Sequence, residues 1–257
     1  MSGVPPVTGH GLTGLADAGA FLARVARFDP GAVVRLRPVD GAGRTALWAR
    51  LPWDVLVVRT VTGLAPVDVT VGAADLLARL APAGGALPPR RDADWRWPLP
   101  PMASRRLELI PAAQLWQVAE AAAGTLRTAA AEGVAGRAVG QRVLRDALLD
   151  HVAVTVRPDD PPGEPVEVTQ RLVQAIVRMG FAGPPPTRPA AAGPGAAGSA
   201  PAGPAVGGDG SGSGAAGGDV QVRSAGRWVG LVGPYGAAWS RTVSELAIRP
   251  TKDHPKG

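Results

Sequence analysis

Residues 32–61 read AVVRLRPVDGAGRTALWARLPWDVLVVRTV, and this run decides the fold. Over 32–38, Val34 and Leu36 alternate with Arg35 and Arg37, the period-two pattern of a strand with one apolar face and one charged face. The DGAG turn at 40–43 leads into TALWARL at 45–51, which predicts a hairpin. The next stretch, DVLVVRTV at 54–61, is apolar on both faces and so predicts a central strand. Upstream, Ala18, Phe21, Leu22 and Val25 recur at helical spacing and stop before Asp29-Pro30-Gly31, a helix with a breaker behind it. Downstream, a short strand at 67–71 feeds a helix over 73–80 that places Leu76, Leu77 and Leu80 on one side. Together these form an N-terminal α+β unit over residues 15–85.

A second unit begins near Ser104. RLELI at 106–110 reads as a strand, and Pro111 stands where a first-turn proline would. The helix behind it runs to about residue 131 and buries Leu115, Val118, Ala119, Ala122 and Leu126. A further helix over 139–149 carries Val143, Leu144, Ala147 and Leu148 as its stripe, followed by a strand at 151–156 (HVAVTV) and a turn at 159–165. Thr169 is placed to cap a helix reaching Gly180, with Leu172, Val173, Ile176 and Val177 inward. Residues 219–224 and 227–232 read as a hairpin around Ala225-Gly226, and 243–248 as a last strand. An isolated hairpin is marginal, so these strands are expected to return to the second unit's sheet.

Between them, residues 182–218 hold one Arg, one Asp and no large apolar residue except Val206. Such a stretch cannot offset the entropy of ordering it. The expected fold is therefore α+β: two small units with mainly antiparallel sheets, interrupted by a disordered Pro/Gly/Ala-rich loop. Its parts are a flexible N-terminal tail at 1–14, the unit at 15–85, and a connector at 86–104. A second unit follows at 105–181 plus 219–250, with the linker at 182–218 and a tail at 251–257. MSGVPPVTGHG at the start has neither a basic nor an apolar signal region, and no apolar run approaches a membrane span. A soluble, cytoplasmic protein is the expectation.

Composition removes several chemistries. Cys is absent, which excludes disulfides, thiolate nucleophiles and cysteine metal sites. The net charge of +6 divides as +3 over residues 1–180 and +3 over 181–257, and 25 of the 27 basic residues are Arg. Dedicated nucleic-acid binders concentrate their charge more than this. Gly9-His10-Gly11-Leu12-Thr13-Gly14 fits G-x-G-x-x-G, but no strand precedes it and no βαβ unit follows, so a dinucleotide site is rejected. Asp150-His151 with one of the serines is the best nucleophilic set, yet adjacent strand residues point apart and no G-x-S-x-G elbow exists; an enzyme would need a deep pocket holding His151 beside Asp150 or Glu167. Asp92-x-Asp94 and Asp159-Asp160 each lack a third cation ligand. No cofactor and no metal are expected, and no catalytic residue is assigned.

Three stretches remain as candidate surfaces. PPRRDADWRWPLPPMASRR at 88–106 packs Arg90, Arg91, Arg96, Arg105 and Arg106 around Trp95 and Trp97. Arginine with interleaved aromatics suits phosphate contact and base stacking, and it equally suits cation–π packing of a rigid connector against its neighbours. Gln170, Arg171, Gln174 and Arg178 form the polar face of one helix, with a hairpin behind it, an order similar to a winged helix. GRWVGLVGPYGAAW at 226–239 gathers Trp228, Tyr235 and Trp239 among glycines; exposed they would mark a partner surface, buried they would complete a core.

Taken together, FLARVARFDPGAVVRLRP, ALWARLPWDVLVVRT, DWRWPLPP and RLVQAIVRMGF…GRWVGLVGPYGAAW resemble a family of uncharacterised high-GC actinobacterial proteins over most of the chain outside the linker. The resemblance implies a cytoplasmic setting and an ordered core interrupted by a variable loop, and carries over no activity or site residue. The favoured reading is a non-catalytic binding or regulatory module whose partner is another protein. The alternative is a nucleic-acid-binding protein with a winged-helix-like C-terminal part, and the third is a hydrolase-type enzyme using His151.

Overall fold

Val34 and Leu36 are fully buried while Arg35 and Arg37 turn the other way, and this one alternation distinguishes the two faces of the whole sheet. The computed structural model describes residues 9–39, 41–80, 85–132, 140–158, 163–186 and 218–242. Its elements are α1 (Leu15–Phe28), β1 (Val33–Val39), β2 (Arg44–Arg50), β3 (Leu56–Thr62), β4 (Val69–Gly72), α2 (Ala73–Ala78), β5 (Arg105–Ile110) and α3 (Ala112–Glu132). They continue with α4 (Gln141–Asp150), β6 (Val152–Val156), β7 (Val166–Thr169), α5 (Gln170–Arg178), β8 (Val220–Ala225), β9 (Trp228–Gly233) and β10 (Gly236–Arg241). The fold is α+β, and the strand pairings within both sheets are antiparallel.

Eight strands form one sheet in the order β4-β1-β2-β3-β10-β9-β8-β5, while β6 and β7 make a separate two-stranded ribbon. The strands following the linker do pair with β5, through β8, as the marginal stability of a lone hairpin requires. They also reach β3 through β10, a strand the sequence reading missed because Gly-Ala-Ala has little strand propensity. The join is Leu56↔Trp239, Val57↔Ala238 and Val58↔Ala237, and it makes β3 central, as its two apolar faces predict.

The inner face carries the main core. α1 packs Ala18, Phe21, Leu22 and Val25 into it, α5 packs Leu172, Val173, Ile176 and Val177, and α3 contributes Leu115 and Ala119. A fully buried aliphatic side chain contributes roughly 1.5–3 kcal/mol, so the stripes chosen by periodicity are the ones that hold the helices down. α4 departs from expectation. Leu149 is its buried residue; of the expected stripe Leu144 and Leu148 are half-buried, while Ala147 is exposed and Val143 is 63 % exposed, where α4 meets α3 and α5. Pro111 sits one residue earlier than expected: its carbonyl accepts the first helical N–H groups, from Gln114 at 3.0 Å and Leu115 at 3.4 Å. Thr169 does occupy the N-cap of α5, without a side-chain capping bond.

Gly9–Gly14, read from sequence as the end of a tail, is held in the structure. Gly9 bridges to Ala86 and Leu12 to Gly63. His10 is fully buried, and its Nδ1 accepts the Leu12 N–H at 3.0 Å. The N–H groups of Thr13 and Gly14 both go to the Thr62 carbonyl at 3.0 Å, so the donors a dinucleotide phosphate would need are already used. At the other boundary, Ala182 is fully buried, one residue beyond the end expected for the second unit's first part. Residues 1–8 of the expected tail, most of the linker, the strand expected at 243–248 and the C-terminal tail lie outside the described residues.

Two predictions follow from this packing. Trp239 lies over Gly230, its direct cross-strand partner, and a Cβ on Gly230 would stand 2.4 Å from the indole ring. Gly230→Ala is therefore expected to cost about 1–3 kcal/mol by overpacking, read as a lowered urea midpoint. Burial holds the His10 imidazole below its ordinary value of 6.5, and only a deprotonated Nδ1 can accept the Leu12 N–H. The unfolded chain takes up a proton that the folded chain resists, so this contribution is present above about pH 6.5 and is lost as pH falls below it. His10→Asn, which keeps an acceptor oxygen, is expected to unfold with a flatter pH dependence than the parent between about pH 7 and pH 5.

Candidate functional site

The outer face of the sheet is where two of the three candidate stretches meet. After Gly72 the chain passes through α2 and returns along β4, where Arg90 bridges to Val71 and the Arg91 N–H donates to the Thr70 carbonyl at 2.7 Å. The Asp92 carboxylate accepts the Thr70 N–H at 2.7 Å and Arg90 Nε at 2.7 Å. The Thr70 N–H first, and the nearby guanidinium groups of Arg90 and Arg35, hold Asp92 below the usual carboxylate range. Asp94 accepts from Arg91 Nε at 2.7 Å. These two aspartates are thus engaged with arginine and backbone, and Asp159-Asp160 lies outside the described residues. No group of three His, Asp or Glu gathers at metal-holding distance among the described residues.

Fixed at that point, the connector lays its tryptophans across the strands. Trp95 and Trp97 meet edge to face at 6.1 Å, and Trp95 Nε1 donates to the Trp97 carbonyl at 2.8 Å. Both pack with Leu99 against a second apolar cluster made of Leu56, Ala225, Trp228, Ala237 and Trp239. Outward arginines stack on the rings: Arg35 over Trp95 at 5.9 Å, Arg50 over Trp97 at 4.3 Å and Arg241 over Trp228 at 5.9 Å. Arg35 also forks onto Asp68 at 2.7 and 2.9 Å. Trp228 and Trp239 are 8 % and 7 % exposed, whereas Tyr235, in the turn between β9 and β10, is 47 % exposed. The structure therefore brings Trp95, Trp97, Trp228 and Trp239 into one cluster and leaves Tyr235 apart. Arg96, Arg105 and Arg106 are exposed, the last two on edge strand β5.

Beside this cluster a groove of about 630 Å³ opens on the same face. Its floor is Trp48, Val58, Val232, Ala237 and Trp239, one wall is Pro100–Met102 of the connector, and the other is the β1–β2 tip. Met102 at the lip is 82 % exposed. Arg37, Arg44 and Arg223 reach the groove, and among the described residues no Asp or Glu lines it. Arg223 is oriented by Ser104 and Gln221, and among the described residues none of the three arginines is paired with a carboxylate. Sequence reading missed these residues, although the Arg/apolar alternation of β1 and β2 was the available signal.

The helix face is placed otherwise. Gln170 is 2 % exposed and its Nε2 has no hydrogen-bond partner among the described residues. Arg171 donates to Asp150 at 2.6 Å and to the Trp53 carbonyl at 3.0 Å, while Trp53 Nε1 donates back to the Arg171 carbonyl at 3.2 Å. Gln174 accepts from Arg178 Nε at 3.0 Å, and Arg178 stands 5.8 Å over the Trp53 ring. Burial, and secondarily the charge of Arg145, push the Arg178 guanidinium below its ordinary value. Thus Gln170 points inward, while Arg171 and Arg178 grip the β2–β3 loop. The hairpin expected behind them as a wing is instead β8–β9, built into the large sheet between β10 and β5. His151 is exposed, Asp150 is turned to Arg171, and Glu167 is exposed on the small ribbon, so these three do not gather in a pocket.

A second cavity, of about 530 Å³, lies on the helical side between α1, α3 and the C-terminal turn of α5. Arg24, Arg59, Arg178, Asp17 and Trp116 line it with Phe21, Phe181 and Tyr235. Arg24, Arg59 and Trp116 were not singled out by sequence, since each stands alone in an otherwise apolar pattern.

Residues 99–245 match the family described as Domain of unknown function (DUF8185). The chain belongs to that family. Residues 10–99 match Domain of unknown function (DUF8010), so the boundary between the matches falls at Leu99, where the connector crosses the outer face. No curated protein matches the chain. Among solved structures it is similar to a DNA polymerase sliding clamp from Caulobacter crescentus, at 12 % identity and TM-score 0.43, with 88 % of this chain and 63 % of that one covered. It is also similar to Caulobacter crescentus pol III beta, at 14 % identity and TM-score 0.44, covering 88 % and 62 %. The chain thus spans about three-fifths of the length of these matched chains. No helix among the described residues of this family member is long and apolar enough to cross a membrane.

The closest of the stacked pairs gives a test of how the connector is held. Arg50→Met keeps bulk but removes the charge over Trp97, and a double-mutant cycle with Trp97→Leu is expected to return a coupling of about 0.5–1 kcal/mol. The cycle is read from urea unfolding; a coupling near zero would make Arg50 a spectator.

Proposed function

We propose that this chain is a non-catalytic binding module whose outer-face groove takes a short protein segment with apolar side chains flanked by carboxylates. One observation carries the reading: an apolar floor that includes two tryptophans is approached by Arg37, Arg44 and Arg223, with no acidic residue among the described residues of the lining. Aromatic and arginine side chains are those that dominate protein interfaces, and unopposed rim charge steers a complementary partner. A flexible methionine at the lip adapts to different apolar side chains. Against the nucleic-acid alternative stands the use made of the helix face, where Gln170 is buried and Arg171 is bonded to Asp150 and Trp53.

The test is fluorescence anisotropy of the full chain with three labelled probes: a peptide alternating Glu with Leu, the same peptide with Lys for Glu, and an oligothymidine of equal length. The Glu/Leu peptide is expected to bind in the micromolar range and to weaken with salt. Arg37→Glu with Arg44→Glu should reduce that affinity by about tenfold or more, near 1.4 kcal/mol. Oligothymidine binding as tight as the Glu/Leu peptide, or binding unchanged in the double variant, would sink the proposal.

A further inference from the structure

The helical-side cavity is a second site, independent of the groove. Its walls come from both matched regions: Arg24 and Arg59 precede residue 99, while Trp116, Arg178 and Phe181 follow it. Cavities at such junctions are common positions for small ligands, and about 530 Å³ lies within the range of ligand pockets.

Among the described residues the lining holds three arginines and one carboxylate, Asp17. Asp17 is committed to Arg59, whose other terminal nitrogen donates to the Tyr235 carbonyl. Arg178 is bonded to the neutral Gln174. Arg24 has a single long bond, 3.4 Å to the Ala20 carbonyl, and no carboxylate partner among the described residues. Among the described residues, two positive charges therefore have no carboxylate opposite them within the cavity. Two donors at its wall, Trp116 Nε1 and Arg59 Nε, are buried without an acceptor among the described residues. Buried donors left unmet are costly, and an oxyanion is the complement of both the charge and the donors.

The backbone is shaped for the same arrangement. Gly180 closes α5 at φ +70, and a Cβ there would stand 3.2 Å from Arg24 Nη2. Glycine thus lets the guanidinium lie against the turn. Phe21 and Phe181 stack nearly parallel beside it, 6.4 Å apart at an interplanar angle of 6°, giving the cavity an aromatic wall.

From this we infer that the cavity binds a small organic oxyanion with an aromatic or apolar body, its charged group held between Arg24 and Arg178. A phosphate ester and a carboxylate share this chemistry, and the test separates them. The full chain, labelled with ¹⁵N, is titrated with phenyl phosphate, with benzoate and with neutral benzyl alcohol. The reporter is the Trp116 indole N–H signal, assigned by Trp116→Phe.

At least one anion is expected to shift that signal saturably with a Kd below about 1 mM, the tighter one naming the headgroup, while benzyl alcohol leaves it in place. Arg24→Gln should weaken binding about tenfold with an unchanged melting temperature. Should Arg24→Gln melt early, Arg178→Gln from the opposite wall takes its place. A stationary signal with both anions, an equal response to benzyl alcohol, or binding that survives both variants would overturn the inference.

Discussion

Three residue pairs between β3 and β10 turn what would be two modest sheets into one. Leu56, Val57 and Val58 meet Trp239, Ala238 and Ala237, and each strand face at this seam has its own partner layer. Val57 and Ala238 enter the inner core beneath the helices, while Leu56, Ala237 and Trp239 belong to the outer cluster beneath the connector. The small residues are a requirement of the geometry. Ala237 and Ala238 let the strand lie between helix and connector layers, and Gly230 leaves room for the one large ring of the seam. Without this join the outer tryptophans would have no common surface, and the connector would have nothing continuous to cross.

The same join places both candidate sites. On the outer side it supplies part of the groove floor, Val58 from one strand and Ala237 and Trp239 from the next. On the inner side it sets Arg59 of β3 beside Tyr235 in the turn before β10, so the guanidinium can bond that carbonyl and Asp17 of α1 together. One face is apolar with arginines around it; the other is a cleft with surplus positive charge. The division comes from the two-residue period of the strands, which sends alternate side chains to opposite environments.

Much of this was legible in the chain. Helix faces in α1 and α5, the hairpin of β1 and β2, and the centrality of β3 follow from apolar spacing alone, because burial of one face imposes the period. The Arg/Trp stretch was recognisable as a connector or a surface from its composition. Its role depends on where Arg35, Arg50 and Arg241 stand, and those residues come from strands far away in sequence. The eight-stranded order was not legible: β10 carries Gly-Ala-Ala where strand propensity expects branched residues, and its partner is some 180 positions earlier. The polar residues of α5 misled in the opposite sense. Gln170 and Arg171 look solvated on a helical wheel, yet the first is buried and the second is bonded across to the loop after β2. The cavity residues Arg24, Arg59 and Trp116 carry no local signal, since each belongs to a different element.

The seam also orders events in time. β1 to β4 are neighbours in sequence and can pair as soon as they are made, as contacts of low sequence separation do. The far edge of β3 has no such neighbour: its partner is β10, the last described strand in the chain. Until that strand arrives, an apolar strand destined for the centre of the sheet is an edge, with unpaired backbone groups of the kind that recruit foreign strands. During synthesis the far edge of β3 is therefore made long before the strand that covers it, while α1 and α2 lie against a face of this sheet and not along that edge.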